Sequence, residues 1–89
     1  MNDAHRTRIA AARFDAQRQR ELRGQPSALR RARLTTDGGR GMSQQALAVL
    51  AGCSRDAVSR AERRDPAVSV ATLRRLCAVL DVPLSEARH

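Results

Sequence analysis

The chain has 89 residues and a formal charge of +8, with a sequence pI of about 11.6. That length gives one small domain with a modest core, and with 1% aromatic residues the core must come from Leu, Val and Ala. Such a charge selects a polyanionic partner, nucleic acid ahead of an acidic membrane surface.

An all-α fold follows, because β-branched runs are short while Ala, Arg and Leu favour helices. The Arg-for-Lys usage is ascribed to GC-rich coding; the charge itself is not. Cys53 and Cys77 stand far apart without a CxxC pair, and His5 and His89 sit at the two ends. Structural zinc needs four convergent ligands, so neither a metal nor a cofactor is expected. Both thiols read as small apolar residues in a reducing cytoplasm. No apolar run reaches membrane-spanning length and no signal-peptide core is present, which points to a cytoplasmic protein without a membrane partner. An enzyme is not expected. There is no Ser/His/Asp set, and Gly38-Gly39-Arg40-Gly41 lacks the Lys-Ser/Thr that follows a phosphate-binding loop.

In chain order, residues 1–25 form an Arg-rich extension, predicted helical, with Asp3 as a cap and a thin stripe of Ile9, Ala12, Phe14 and Ala16. Residues 1–24 carry six arginines against three acids. A solvated helix, a dimerising arm and a basic arm along DNA phosphates all fit; an amphipathic membrane helix lacks the apolar density. Residues 26–89 form the main domain. Pro26 suits the first position of a helix bearing Leu29, Ala32 and Arg33, and the glycines between Thr35 and Gly41 mark a loop.

Two short helices joined by a tight turn follow over about 43–63. Ser43 is an N-cap, and Leu47, Leu50 and Ala51 supply an apolar face. Gly52 ends the helix with a positive φ. Ser54 caps the next helix, with Val58 and Ala61 inward and Arg55, Asp56, Ser59 and Arg60 outward. This is a helix-turn-helix pattern. Asp65 and Pro66 stop it, Ser69 caps an amphipathic helix through Val70, Leu73, Cys77 and Leu80, and Leu84 to Ala87 form a last turn.

With Leu29-Arg30-x-x-Arg33, Gly41-Met42-Ser43-Gln44-x-x-Leu47-Ala48, Ala51-Gly52-x-Ser54-x-x-x-Val58-Ser59-x-x-Glu62, Pro66, Leu73, Leu76, Leu80-x-Val82 and Leu84, residues 27–87 resemble the Xre/Cro-type helix-turn-helix family of lambda-repressor-like regulators. The resemblance implies a bundle of about five helices, here with an extra N-terminal helix, binding double-stranded DNA as a homodimer on a near-palindromic operator. It places Ser54, Arg55, Asp56, Ser59 and Arg60 at base edges. Either arginine can donate two parallel bonds to guanine O6 and N7, while Asp56 also suits the helix N-terminus. Gln44, Gln45 and Arg40 are placed on the DNA backbone, where contacts fix register without reading sequence. Glu62 is implied to brace the second motif helix against Arg33. Three features depart from the family pattern: a longer loop between Arg33 and Gly41, Arg64 where a glycine is common, and Ala61 where a larger apolar residue is common.

The expected function is a sequence-specific transcriptional regulator, a repressor or autoregulator of bacterial or phage origin. The alternative is a protein-interaction module, such as an antitoxin binding a toxin or a phage or host factor. RNA binding is disfavoured, since unpaired bases are usually stacked on aromatics.

Overall fold

The computed structural model describes residues 3–88, with side chains from Arg13 onward. It is all-helical over these residues: α1 (Asp3–Arg23), α2 (Ala28–Thr35), α3 (Gln44–Ala51), α4 (Arg55–Glu62), α5 (Val70–Leu80) and α6 (Leu84–Ala87). The cap expected at Asp3 and the stripe through Ile9 and Ala12 fall outside the described side chains.

Serine hydroxyls set the starts of four of these helices. Ser27, Ser43, Ser54 and Ser69 each accept from the backbone N–H three residues on, at 3.4, 3.1, 3.0 and 3.2 Å, which pairs a donor that the first helical turn leaves free. Pro26 is not the first residue of α2 as its sequence position suggested. Ser27 takes the cap, α2 begins at Ala28, and the proline precedes them both.

The buried core is aliphatic: Leu29 and Leu34 from α2, Leu47, Ala48 and Ala51 from α3, Val58 and Ala61 from α4, and Leu76, Cys77 and Leu80 from α5, closed by Ala87. α3 packs on α4 and α5, and α2 spans α4, α5 and α6. Ala48, 2% exposed, lies in this core, and its small side chain suits a close crossing of the two motif helices. Burial raises the Cys77 thiol above its usual range, so it stays protonated at neutral pH as a small apolar group.

Leu50, expected on the core stripe of α3, is 62% exposed, beside Val49 at 70%. The inward face is Leu47, Ala48 and Ala51; at 100° per residue Leu50 points well away from the centre of that arc. Val70, at 40% exposure, likewise stands at the edge of the α5 stripe.

The ends of the motif helices use left-handed residues. Gly52 closes α3 at φ 69°. α4 ends in the same manner without a glycine. Arg64 sits at φ 60°, its N–H donates to Ala61 O at 3.1 Å, and the Asp65 N–H reaches Arg60 O at 3.0 Å. This is the Schellman bond pair on a non-glycine residue, so the helix stops before Asp65 and Pro66 are reached.

The loop between α2 and α3 is tied at its neck. The Met42 N–H donates to Arg33 O at 2.9 Å, the Gly41 N–H to Thr36 O at 2.9 Å, and the Arg33 side chain returns a bond from Nη1 to Met42 O at 2.8 Å. A Cβ on Gly41 would lie 2.6 Å from Leu34 O, and its φ is 75°. Only glycine fits there.

Two substitutions of opposite sign follow. Gly41→Ala meets both the clash and the left-handed strain and should lower stability by roughly 1–3 kcal/mol. Arg64→Gly relieves strain alone and should raise it by about 0.5–1 kcal/mol, a melting shift of roughly 2–8 °C for a domain of this size. Thermal melts of both variants check the pair.

Candidate nucleic-acid interface

A glutamate at the last position of α4 organises the site. Glu62 is 4% exposed and Arg33 3%. Arg33 Nε donates to Glu62 Oε2 at 2.6 Å and Arg33 Nη2 to Oε1 at 3.0 Å, the two-pronged geometry that suits a guanidinium and a carboxylate. The pair ties α2 to the end of α4.

Two further groups converge on the same carboxylate, and sequence reasoning passed over both roles. Arg30 Nε donates to Oε1 at 3.0 Å, and Gln44 Nε2 to Oε1 at 3.2 Å. Arg30 lies one turn before Arg33 on the same face of α2, so its i, i+3 spacing was an available signal. Gln44, expected on the DNA backbone, is tied from within to Glu62, and its side chain is half-buried. α2, α3 and α4 thus meet at one acid.

With its C-terminal end fixed, α4 presents its first turn outward. Ser54 is exposed, and its hydroxyl caps the helix by accepting from Ala57 N. Arg55 and Asp56 are exposed and Ser59 is half-buried. Arg60 Nε pairs with Asp56 Oδ2 at 2.9 Å, one turn apart, both side chains at least half exposed. Such an exposed pair contributes little stability; its effect is to lay the Arg60 guanidinium along the helix. Arg55 makes no ion pair among the residues whose side chains are described. Gln45 is exposed at the start of α3, and Arg40 is exposed in the tied loop, where its N–H donates to Asp37 O at 3.3 Å.

Two open clefts flank this tip. One, of about 310 Å³, runs between α4 and the start of α5, with Ser54, Asp56, Arg60 and Thr72 on its walls. The other, of about 280 Å³, lies between the first turns of α3 and α4 and the middle of α1, where Phe14 and Gln17 face Gln44, Gln45 and Arg55. The placement of α1 beside this surface had no signal in the sequence. Arg75 Nη1 reaches Gly52 O at 3.4 Å, bringing α5 to the turn between the motif helices.

Removing Glu62 leaves two guanidiniums, one of them fully buried, without their carboxylate. Glu62→Leu should therefore cost roughly 3–5 kcal/mol, whereas Arg33→Met with Glu62→Met, which removes the buried pair together, should cost much less. Urea unfolding of the two variants measures the difference.

Among the described residues no helix is long and apolar enough to cross a membrane. Comparisons with curated proteins and with solved structures return no match. A family model described as helix-turn-helix matches residues 29–86, which takes in α3 to α5 and all but one residue each of α2 and α6. This family is one of DNA-binding regulatory domains, not of enzymes, and it supports a DNA-binding transcription regulator. The chain belongs to the Xre/lambda-repressor-like helix-turn-helix family.

Proposed function

We propose that this regulator is a repressor or autoregulator that reads a near-palindromic operator as a homodimer, with α4 in the major groove. The observation that carries the reading is the contrast between the two ends of α4. Its last residue is locked by four hydrogen bonds from three side chains of α2 and α3, while its first turn stands exposed with Arg55 at the tip. A recognition helix needs that combination, since base contacts come from its N-terminal residues and fail if the helix can rock.

In this reading Arg55 and Arg60 donate to guanine edges, Arg60 exchanging Asp56 for the base. Asp56 holds Arg60 in position before binding and favours the helix N-terminus. Ser54 and Ser59 border the same surface. Gln45 and Arg40 supply backbone contacts, and Gln44 does so only with whatever donor capacity its bond to Glu62 leaves. A single bundle of this size reads few base pairs, and two copies on half-sites about one helical turn apart double the readout. Occupation of a promoter by such a dimer is itself enough for repression in the cytoplasm of a bacterial cell.

Reversal of charge at the tip tests this. Arg55→Glu with Arg60→Glu should abolish sequence-selective binding to duplexes recovered by in vitro selection, with an unchanged circular dichroism spectrum. Selective binding that survives the reversal would remove α4 as the reading element. Sedimentation with the selected duplex should give two protomers per site; one protomer per best site would sink the dimer.

A further inference from the structure

We infer that α1 is a second DNA-backbone element, which holds the phosphates flanking the operator against the open cleft it forms with the tips of α3 and α4. The inference rests on the proposed reading of α4 and extends its footprint.

Three observations carry it. The first is position: Phe14 and Gln17 of α1 share a cleft of about 280 Å³ with Gln44, Gln45 and Arg55, so α1 lies on the DNA-reading side of the bundle. The second is the chemistry of that cleft. Beside the Phe14 ring, its walls hold guanidinium, amide and hydroxyl groups, with no carboxylate among the described residues. A segment that covered Arg55 in place of DNA would bring acids to it; the described residues that α1 brings are Phe14 and the amide of Gln17. The third is the pattern along α1. Arg13, Gln17 and Arg20 fall at i, i+4 and i+7, on one side of the helix, and all three are exposed. Two guanidiniums roughly 10 Å apart along the axis therefore continue the side on which Gln17 meets the cleft.

The helix is anchored for that task without being locked into the core. Arg18 donates from Nη1 to Gly39 O and from Nη2 to Asp15 Oδ1, which fastens the middle of α1 to the tied loop that also carries Arg40. Phe14 and Leu22 are only half-buried. A basic helix held loosely beside a basic surface gains most when a polyanion enters between them, because the counterions around the DNA are released.

The test uses the full chain, a labelled mixed-sequence duplex of about three helical turns, and fluorescence anisotropy across a salt series. Arg13→Gln with Arg20→Gln should weaken binding to all duplexes alike and reduce the slope of log K against log salt by about 2, at roughly 0.9 per lost phosphate contact. Base preference in selection should be unchanged. Arg13→Lys with Arg20→Lys keeps the charge and should restore the slope. Unchanged affinity and slope in the glutamine variant, tighter binding, or no recovery with lysine would each overturn the inference. The Arg55/Arg60 reversal reports separately: if it spares base preference while the α1 slope still falls, the α4 reading fails and the α1 contact stands.

Discussion

A carboxylate taken out of water must be surrounded by donors, and the bundle is arranged around that requirement at Glu62. Arg33 covers both oxygens, while Arg30 and Gln44 complete the shell at Oε1. These groups come from three helices, so the acid can be satisfied only when α2, α3 and α4 stand in one mutual arrangement. An aliphatic core of this kind tolerates many packings of similar volume; a buried polar cluster with matched donors admits few. The cluster therefore specifies geometry more than it adds net stability, since a buried ion pair gains little over a well-packed apolar replacement.

That division of labour explains why the reading surface can be so plainly polar. Helix capping by serines fixes where each helix starts, left-handed residues fix where the motif helices stop, and Glu62 fixes the end of α4 from behind. Nothing in the first turn of α4 is then needed for packing except the inward Val58 and Ala61 that follow it. Arg55, Asp56 and Arg60 are free to vary with the DNA they meet. The same scaffold can carry many different specificities.

Much of this was legible in the chain because it rests on local chemistry. Ser43, Ser54 and Ser69 announce helix starts through hydroxyls that stand just before each helical run, and Gly52 announces a left-handed stop. The parts that stayed hidden depend on tertiary context. α3 is apolar over much of its surface, so spacing could not tell that Leu47, Ala48 and Ala51 face inward while Leu50 does not. Arginine reads as a solvated charge; the i, i+3 spacing of Arg30 from Arg33 hints at a shared partner, but the bond itself depends on Glu62, 32 residues away. The left-handed Arg64 is not announced by its own residue type, because the bonds of its turn come from the backbone; the one signal is the glycine common at its position in the family. The docking of α1 depends on Arg18 meeting a carbonyl in a distant loop, which no periodicity encodes.

The neck joining Arg33 to Met42 separates the length of the intervening loop from the position of everything after it. Backbone and side-chain bonds between those two residues close the segment in both directions, and Gly38 has open space around it. Once the neck is closed, adding residues at the tip costs only the slow logarithmic growth of loop entropy, about 0.6 kcal/mol for a doubling. The connection between α2 and α3 is therefore a place where residues can be added or removed without moving α3. By the same reasoning a residue inserted at Gly38 would leave α3 in place while shifting the Gly39 carbonyl that Arg18 of α1 meets.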